Sequence, residues 1–221
     1  MSPVLQTRGF NTRRTFDLVC AAAGLLVLSP LFAVVALMIL LSDGRPVLFR
    51  QMRTGRYGTP FRIWKFRTMR PGAAGSTITA AGDSRVTATG ARLRKFKLDE
   101  LPQLFNVLRG EMSLVGPRPE VPEYVDRQSR IWQAVLQVPP GITDVASLLY
   151  RDEEALLGTA SDPDRFYRET LLPAKLCLSL AYLSTRSLWR DVRLIMLTIH
   201  SSLSPGRLNP GRVRRAFDLG A

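Results

Sequence analysis

The apolar positions of this chain fall into one long block followed by shorter periodic ones. From Leu18 to Leu41 the chain is almost wholly apolar, a run of about 24 residues that meets the roughly 20 needed to cross the hydrocarbon of a bilayer. Ser29-Pro30 stands in its middle. Proline removes a backbone donor and clashes with the preceding turn, so a kink is predicted there. Both flanks are basic, with Arg8, Arg13 and Arg14 before the run and Arg45, Arg50, Arg53 and Arg56 after it. Basic flanks stay on the cytoplasmic side, so a helix that enters and leaves one leaflet fits better than a spanning one. An ordinary kinked transmembrane helix is the competing arrangement. A cleaved signal peptide fits poorly, because the run is too long and no small-residue cleavage site follows.

Further along, Phe61-Arg62-Ile63-Trp64-Lys65-Phe66-Arg67 alternates apolar and basic residues. This predicts a strand with one buried and one cationic face. Residues 71–82 are rich in Gly, Ala, Ser and Thr and predict a mobile loop, followed by a basic helix from Arg85 to Lys97. Leu98 to Gly110 predicts a second helix, with Asp99 at its cap and Gly110 at its stop. Ile131 to Val138 is a short amphipathic piece ended by Pro139-Pro140-Gly141. Leu171 to Tyr182 and Leu188 to Leu203 have helical length. The latter repeats Leu188, Val192, Ile195 and Ile199 and carries Trp189, which suits core packing and a membrane interface equally. From Ser204 onward, Pro and Gly breaks with Arg212, Arg214 and Arg215 predict a poorly ordered tail. The fold class is therefore α-rich α+β.

Charge narrows the partners. The 221 residues carry 31 Lys and Arg against 18 Asp and Glu, a formal charge of +13. An anionic partner follows: nucleic acid, lipid headgroups or phosphorylated substrates. Between Gly44 and Gly82 every charged residue is basic, as expected of a headgroup-binding or phosphate-binding surface. Cys20 and Cys177 lie far apart in apolar surroundings, which excludes a disulfide framework or a paired-thiolate metal site. With His200 as the single histidine, zinc hydrolysis and Ser-His-Asp or Cys-His catalysis lose a ligand or a base. Chemistry must then run on carboxylates, Arg, Lys or a hard metal ion held by oxygen.

Two segments can carry such chemistry. Asp99 and Glu100 open the second helix pointing about a quarter-turn apart, so one can attack while the other holds a metal. Their plain structural account is an N-cap and a first-turn acid. An Asp at a helix start in so basic a chain also sits where phosphates gather, and a carboxylate can form an acyl-phosphate. Arg118 stands between Pro117 and Pro119. Prolines on both sides would present it rigidly to a phosphate; a rigid turn with a solvated Arg is the alternative.

Four strings together with Ser29-Pro30 resemble one family. They are Lys65-Phe66-Arg67-Thr68-Met69, Leu98-Asp99-Glu100-Leu101-Pro102-Gln103-Leu104, Met112-Ser113-Leu114-Val115-Gly116-Pro117-Arg118-Pro119 and Pro140-Gly141-Ile142-Thr143. In this order they are similar to the bacterial sugar transferases, the monotopic phosphoglycosyl transferases. The resemblance implies an N-terminal segment and re-entrant membrane helix broken at Ser29-Pro30 (1–44), a compact cytosolic catalytic domain with a small sheet and amphipathic interfacial helices (45–203), and a basic C-terminal tail (204–221). It implies a reaction in which Asp99 attacks the sugar-proximal phosphate of a UDP-sugar, expels UMP, and passes the phospho-sugar to polyprenol phosphate. Asp99 and Glu100 are carried over as catalytic residues and magnesium ligands. Arg94 and Arg118, with Lys65 and Arg67, are carried over as phosphate-binding groups; Arg151, in the stretch after Thr143 that departs from the family pattern, is a third arginine candidate, with a plain surface role as its alternative.

The implied setting is the cytoplasmic face of a bacterial inner membrane, with membrane lipid as a partner, no nucleic acid, and a homodimer left open. One departure is Asp144 after Thr143, where many members carry Gly; it leaves the donor sugar open. The contrasting expectation is a non-enzymatic, membrane-anchored basic protein that binds acidic lipid or nucleic acid, for which Asp99 would be replaceable.

Overall fold

The computed structural model describes residues 7–72, 78–206 and 208–218, with side chains from residue 12 onward. Two helices come first, α1 (Thr7–Val27) and α2 (Ser29–Ser42). No single helix among the described residues is long and apolar enough to cross a membrane. Thr12–Val27 and Ser29–Ser42 meet that test together and are bent by 59°. The bend sits at Leu28, one residue before the predicted break, and its cause is visible. Pro30 cannot donate to the carbonyl of Leu26, and the Ser29 hydroxyl donates to it instead at 2.8 Å. The ladder resumes as Phe32 N–H donates to Leu28 O. Much of the pair's apolar surface is uncovered, including Leu26, Val27, Val34, Leu37 and Leu41.

Strands β1 (Leu48–Thr54) and β2 (Pro60–Phe66) pair antiparallel, and β3 (Ser113–Val115) pairs parallel with β4 (Gly141–Thr143). The small sheet is thus two separate two-stranded ladders. Helices α3 (Ala88–Lys95) and α4 (Leu104–Arg109) flank the 3-10 turn Leu98–Gln103. After them come α5 (Arg130–Val135), α6 (Val145–Leu149), α7 (Glu153–Gly158), α8 (Pro163–Phe166), α9 (Leu172–Ser184), α10 (Leu188–Leu203) and α11 (Pro210–Ala216). A π-helical turn, Tyr167–Leu171, joins α8 to α9.

The strand predicted from Phe61 to Arg67 forms, but its basic residues do not share one face. Side chains alternate along a strand, so Lys65 has the parity of Phe61 and Ile63 while Arg62 has the other. Phe61 and Ile63 are accordingly buried in the core against Ala21, Leu104 and Val107, and Arg62 is exposed. The alternation changes phase at Trp64, and that change sends Lys65 inward. The predicted loop over 71–82 is described only in part, because 73–77 lie outside the described residues. Leu98–Gly110 is not one helix. Pro102 and the left-handed Lys97 (φ 55°) leave a 3-10 turn before α4, which does stop at Gly110 with φ 81° as predicted.

The C-terminal stretch is ordered where described, contrary to the tail expectation. Asn209 caps α11 by accepting from the N–H groups of Gly211 and Arg212. Val213 and Phe217 are buried against Val145, Leu148, Tyr182 and Leu194. Two apolar residues four apart are enough to dock one helical turn, and the arginines around them conceal the pattern.

Candidate active site

Two of the motifs meet backbone to backbone. Ser113 N–H donates to Pro140 O, Gly116 N–H to Thr143 O, and Gly141 N–H to Pro117 O. A Cβ on Gly116 would run into the Pro139 carbonyl, and one on Gly141 into the backbone of Gly116, so the close approach needs glycine at both. This contact anchors the Pro117-Arg118-Pro119 turn. Gly90 plays the same part in α3: a Cβ there would overlap Thr68 O. Its absence brings Arg94, one turn on, to the Thr68 hydroxyl at 2.9 Å.

The turn Leu98–Gln103 lies against β2, and both its acids are buried. Glu100 is held from two sides. Lys65 Nζ is 2.8 Å from Oε1, and Arg118 donates from Nη2 to Oε1 at 2.6 Å and from Nη1 to Oε2 at 3.3 Å. Burial pushes the Glu100 carboxyl up, but Arg118 and Lys65 more than offset this and hold it well below the usual carboxylate range. Burial conversely lowers Lys65, against the pull of Glu100. Asp99 is a different case. It is not the predicted N-cap, since Lys97 holds that position and no side chain caps the turn. Its Oδ1 is buried with no hydrogen-bond partner among the described residues. Burial, with the Glu100 charge beside it, raises the Asp99 carboxyl above its usual range, against the cations Lys65, Lys97 and Arg94.

The structure thus brings together Asp99, Glu100, Lys65, Arg118 and Arg94, the last also paired with Glu154 at 2.9 Å. Two other residues have separate partners. Arg67 donates to the carbonyls of Asp43 and Gly44 and holds the end of α2. Arg151 donates to Ser201 and to Lys95 O at the end of α3. Asp144 is buried and accepts from the Ser179 hydroxyl at 2.6 Å.

Sequence reasoning passed over Gln103. It is 1% exposed, ends the same turn, and its Nε2 has no partner among the described residues. It also stands three residues after Glu100, and side chains at that spacing eclipse in a 3-10 helix, which is the signal that was available. Asn106, equally buried, closes the free edge of β2 by accepting from Trp64 N–H and donating to Arg62 O. Behind Arg118, Glu120 accepts from the Tyr167 hydroxyl at 2.7 Å, and Lys175 pairs with Glu153 at 2.8 Å.

Chemically, this is a desolvated carboxylate with an unmet oxygen, ringed by cations that suit phosphate oxygens. Among the described residues no group of three or more His, Cys, Asp or Glu side chains is placed to hold a metal. The Asp99 and Glu100 oxygens are a pair rather than a cage. That donor set fits an ion that takes its remaining ligands from phosphates and water.

The bacterial sugar transferase family model matches residues 8–205. The chain belongs to this family. It is 40% identical over 197 residues to the UDP-glucose:undecaprenyl-phosphate glucose-1-phosphate transferase of Caulobacter vibrioides, an alignment spanning 87% of this chain and 70% of that protein. Identity is 36% over 197 residues to the UDP-N-acetylgalactosamine-undecaprenyl-phosphate N-acetylgalactosaminephosphotransferase of Aeromonas hydrophila, covering 87% and 44%. The exopolysaccharide production protein PSS of Rhizobium leguminosarum bv. phaseoli is 34% identical over 212 residues, 88% of this chain and 96% of that one. This sugar transferase chain therefore spans less than half of one relative and nearly all of another.

Proposed function

We propose that this protein transfers a phospho-sugar from a UDP-sugar to polyprenol phosphate, giving polyprenol-diphosphate-sugar and UMP, as the first membrane step of a bacterial glycoconjugate pathway. The observation that carries the reading is the buried, unpartnered Oδ1 of Asp99 beside Lys65, Lys97 and Arg94. An Asp99 oxygen attacks the sugar-bearing phosphorus, the bond from that phosphorus to the UMP oxygen breaks, and UMP leaves. A phosphate oxygen of polyprenol phosphate then attacks the same phosphorus, and the Asp99 carboxylate departs. Lys65, Arg94 and Arg118 neutralise charge on the diphosphate; transfer of this kind needs mainly positioning and cations. Asp99 and Glu100 would hold magnesium, which offsets charge on bridging phosphates when bound.

The bent pair α1–α2, with its uncovered apolar residues, is read as a re-entrant segment that places the site at the cytoplasmic face of the inner membrane. The relatives' names differ in the sugar, so the donor sugar stays general. The test is incubation of purified protein with magnesium and radiolabelled UDP-sugar but no acceptor. UMP release with label on Asp99 is expected, and both should vanish in Asp99→Asn. UMP release that persists in Asp99→Asn removes the covalent step. Loss of turnover in chelator, restored by magnesium, is expected for the metal.

A further inference from the structure

On the other face of β2 from Lys65, two guanidinium groups share one indole ring. Arg50 is the cross-strand partner of Trp64, and its Cζ lies 3.7 Å from the Trp64 ring centroid. The Cζ of Arg109, at the end of α4, lies 5.5 Å from the same centroid. Both arginines are exposed, and neither guanidinium has a hydrogen bond or a carboxylate within ion-pair distance among the described residues. Two cations held against one ring, neither of them ion-paired among the described residues, make this face of β2 electropositive, and it attracts an anion.

The floor beside them is aromatic and leads to the apolar helices. Phe105 is 6.1 Å from Trp64 and 43% exposed, and Phe32, which belongs to α2, lies 6.5 Å from Phe105. A ligand fitting this strip has a phosphate at one end and an apolar body at the other, and tryptophan with arginine is a pairing suited to headgroup depth.

We propose that Arg50, Trp64 and Arg109 form a seat for the headgroup phosphate of an anionic phospholipid, whose acyl chains run along Phe105 and Phe32. The acceptor is the other lipid with a phosphate, but the geometry points away from it. Successive side chains face opposite sides of a strand, and it is Lys65 that turns toward Glu100. A phosphate seated on Trp64 therefore does not share a face with the reacting carboxylates. The seat rests on the reading of α1–α2 as membrane-inserted; its purpose is to fix how β2 and the site lie against the leaflet.

Full-length protein is first floated with phosphatidylcholine vesicles, then titrated with phosphatidylglycerol in mixed micelles, with bound lipid counted by native mass spectrometry. The protein is expected to float with neutral vesicles. It should bind phosphatidylglycerol, with a loss of about thirtyfold in R50Q/R109Q and none in the exposed control pair R212Q/R215Q. UMP release from donor alone should be unchanged in R50Q/R109Q. Failure to float overturns the membrane reading and the seat with it. Floating without that difference between the two double variants overturns the seat alone, as does displacement of phosphatidylglycerol by equimolar polyprenol phosphate.

Discussion

Arg118 grips Glu100 with both prongs of its guanidinium, 2.6 Å from Oε1 and 3.3 Å from Oε2, while Lys65 holds the same carboxylate from the β2 side. Two half-buried cations share one buried acid. Glu100→Ala should therefore take this partner from both Lys65 and Arg118, at a cost of about 3 kcal/mol, the low end for a buried pair because both cations keep some contact with solvent. Glu100→Gln, which keeps the acceptor oxygen, should cost less. Thermal unfolding in detergent orders the two variants; an Ala variant as stable as wild type would mean that Glu100 is not what holds Lys65 and Arg118.

Asp99 must be ionised to attack, and burial with the Glu100 charge beside it raises its carboxyl. The acid limb of UMP release should thus lie above the ordinary Asp value of about 3.9. Glu100→Gln removes a neighbouring negative charge, which stabilises the Asp99 anion and moves the limb to lower pH whatever happens to the maximal rate. Single-turnover UMP release measured across pH gives the position of each limb. An unmoved limb in the variant would mean that the titrating group is not Asp99.

Much of this site was legible because its chemistry sits in short continuous strings. Asp99, Glu100 and Arg118 were readable from residue type and spacing, and the bend from Pro30. What stayed hidden depends on non-local contacts. That Lys65 turns inward follows from a phase change at Trp64, which a block of alternating charge disguises. Arg67 and Arg151 stood as phosphate-binding candidates, yet Arg67 is taken up by the carbonyls of Asp43 and Gly44, and Arg151 by the Ser201 hydroxyl and the Lys95 carbonyl, all brought from distant segments. Phe217 looks like part of a basic tail until Tyr182 and Leu194 are seen around it.

The Nε2 of Gln103 is buried with no hydrogen-bond partner among the described residues, on the same turn as Asp99. If it donates to a phosphate oxygen of the donor, Gln103→Leu should lower kcat/KM for UMP release about 10- to 100-fold, the size of a hydrogen bond to a charged group. Stability should hold or rise, because an unmet buried amide is removed. A fall in melting temperature with unchanged kcat/KM would make Gln103 a packing residue.

Phe217 is 1% exposed and meets Tyr182 edge-on at 5.6 Å between centroids. Phe217→Ala should cost about 3–5 kcal/mol, as for other buried aromatic truncations. Thermal unfolding measures this directly. No loss would mean that the C-terminal turn is not docked in solution.

Asp144 has the clearest pH signature. Burial raises its carboxyl to about 6, against the Ser179 hydrogen bond and Lys175. The folded chain then binds this proton more tightly than the unfolded chain, whose Asp titrates near its ordinary value. Stability from this group is greatest below about 3.9 and falls as pH rises toward the folded value, by on the order of 3 kcal/mol in all. Asp144→Asn carries no such charge, so its melting temperature relative to wild type should climb as pH is raised from about 4 to about 6 and then level off. The Asn oxygen can still accept from Ser179, which keeps the comparison about charge rather than packing. Parallel melting curves at every pH would show that Asp144 titrates alike in both states.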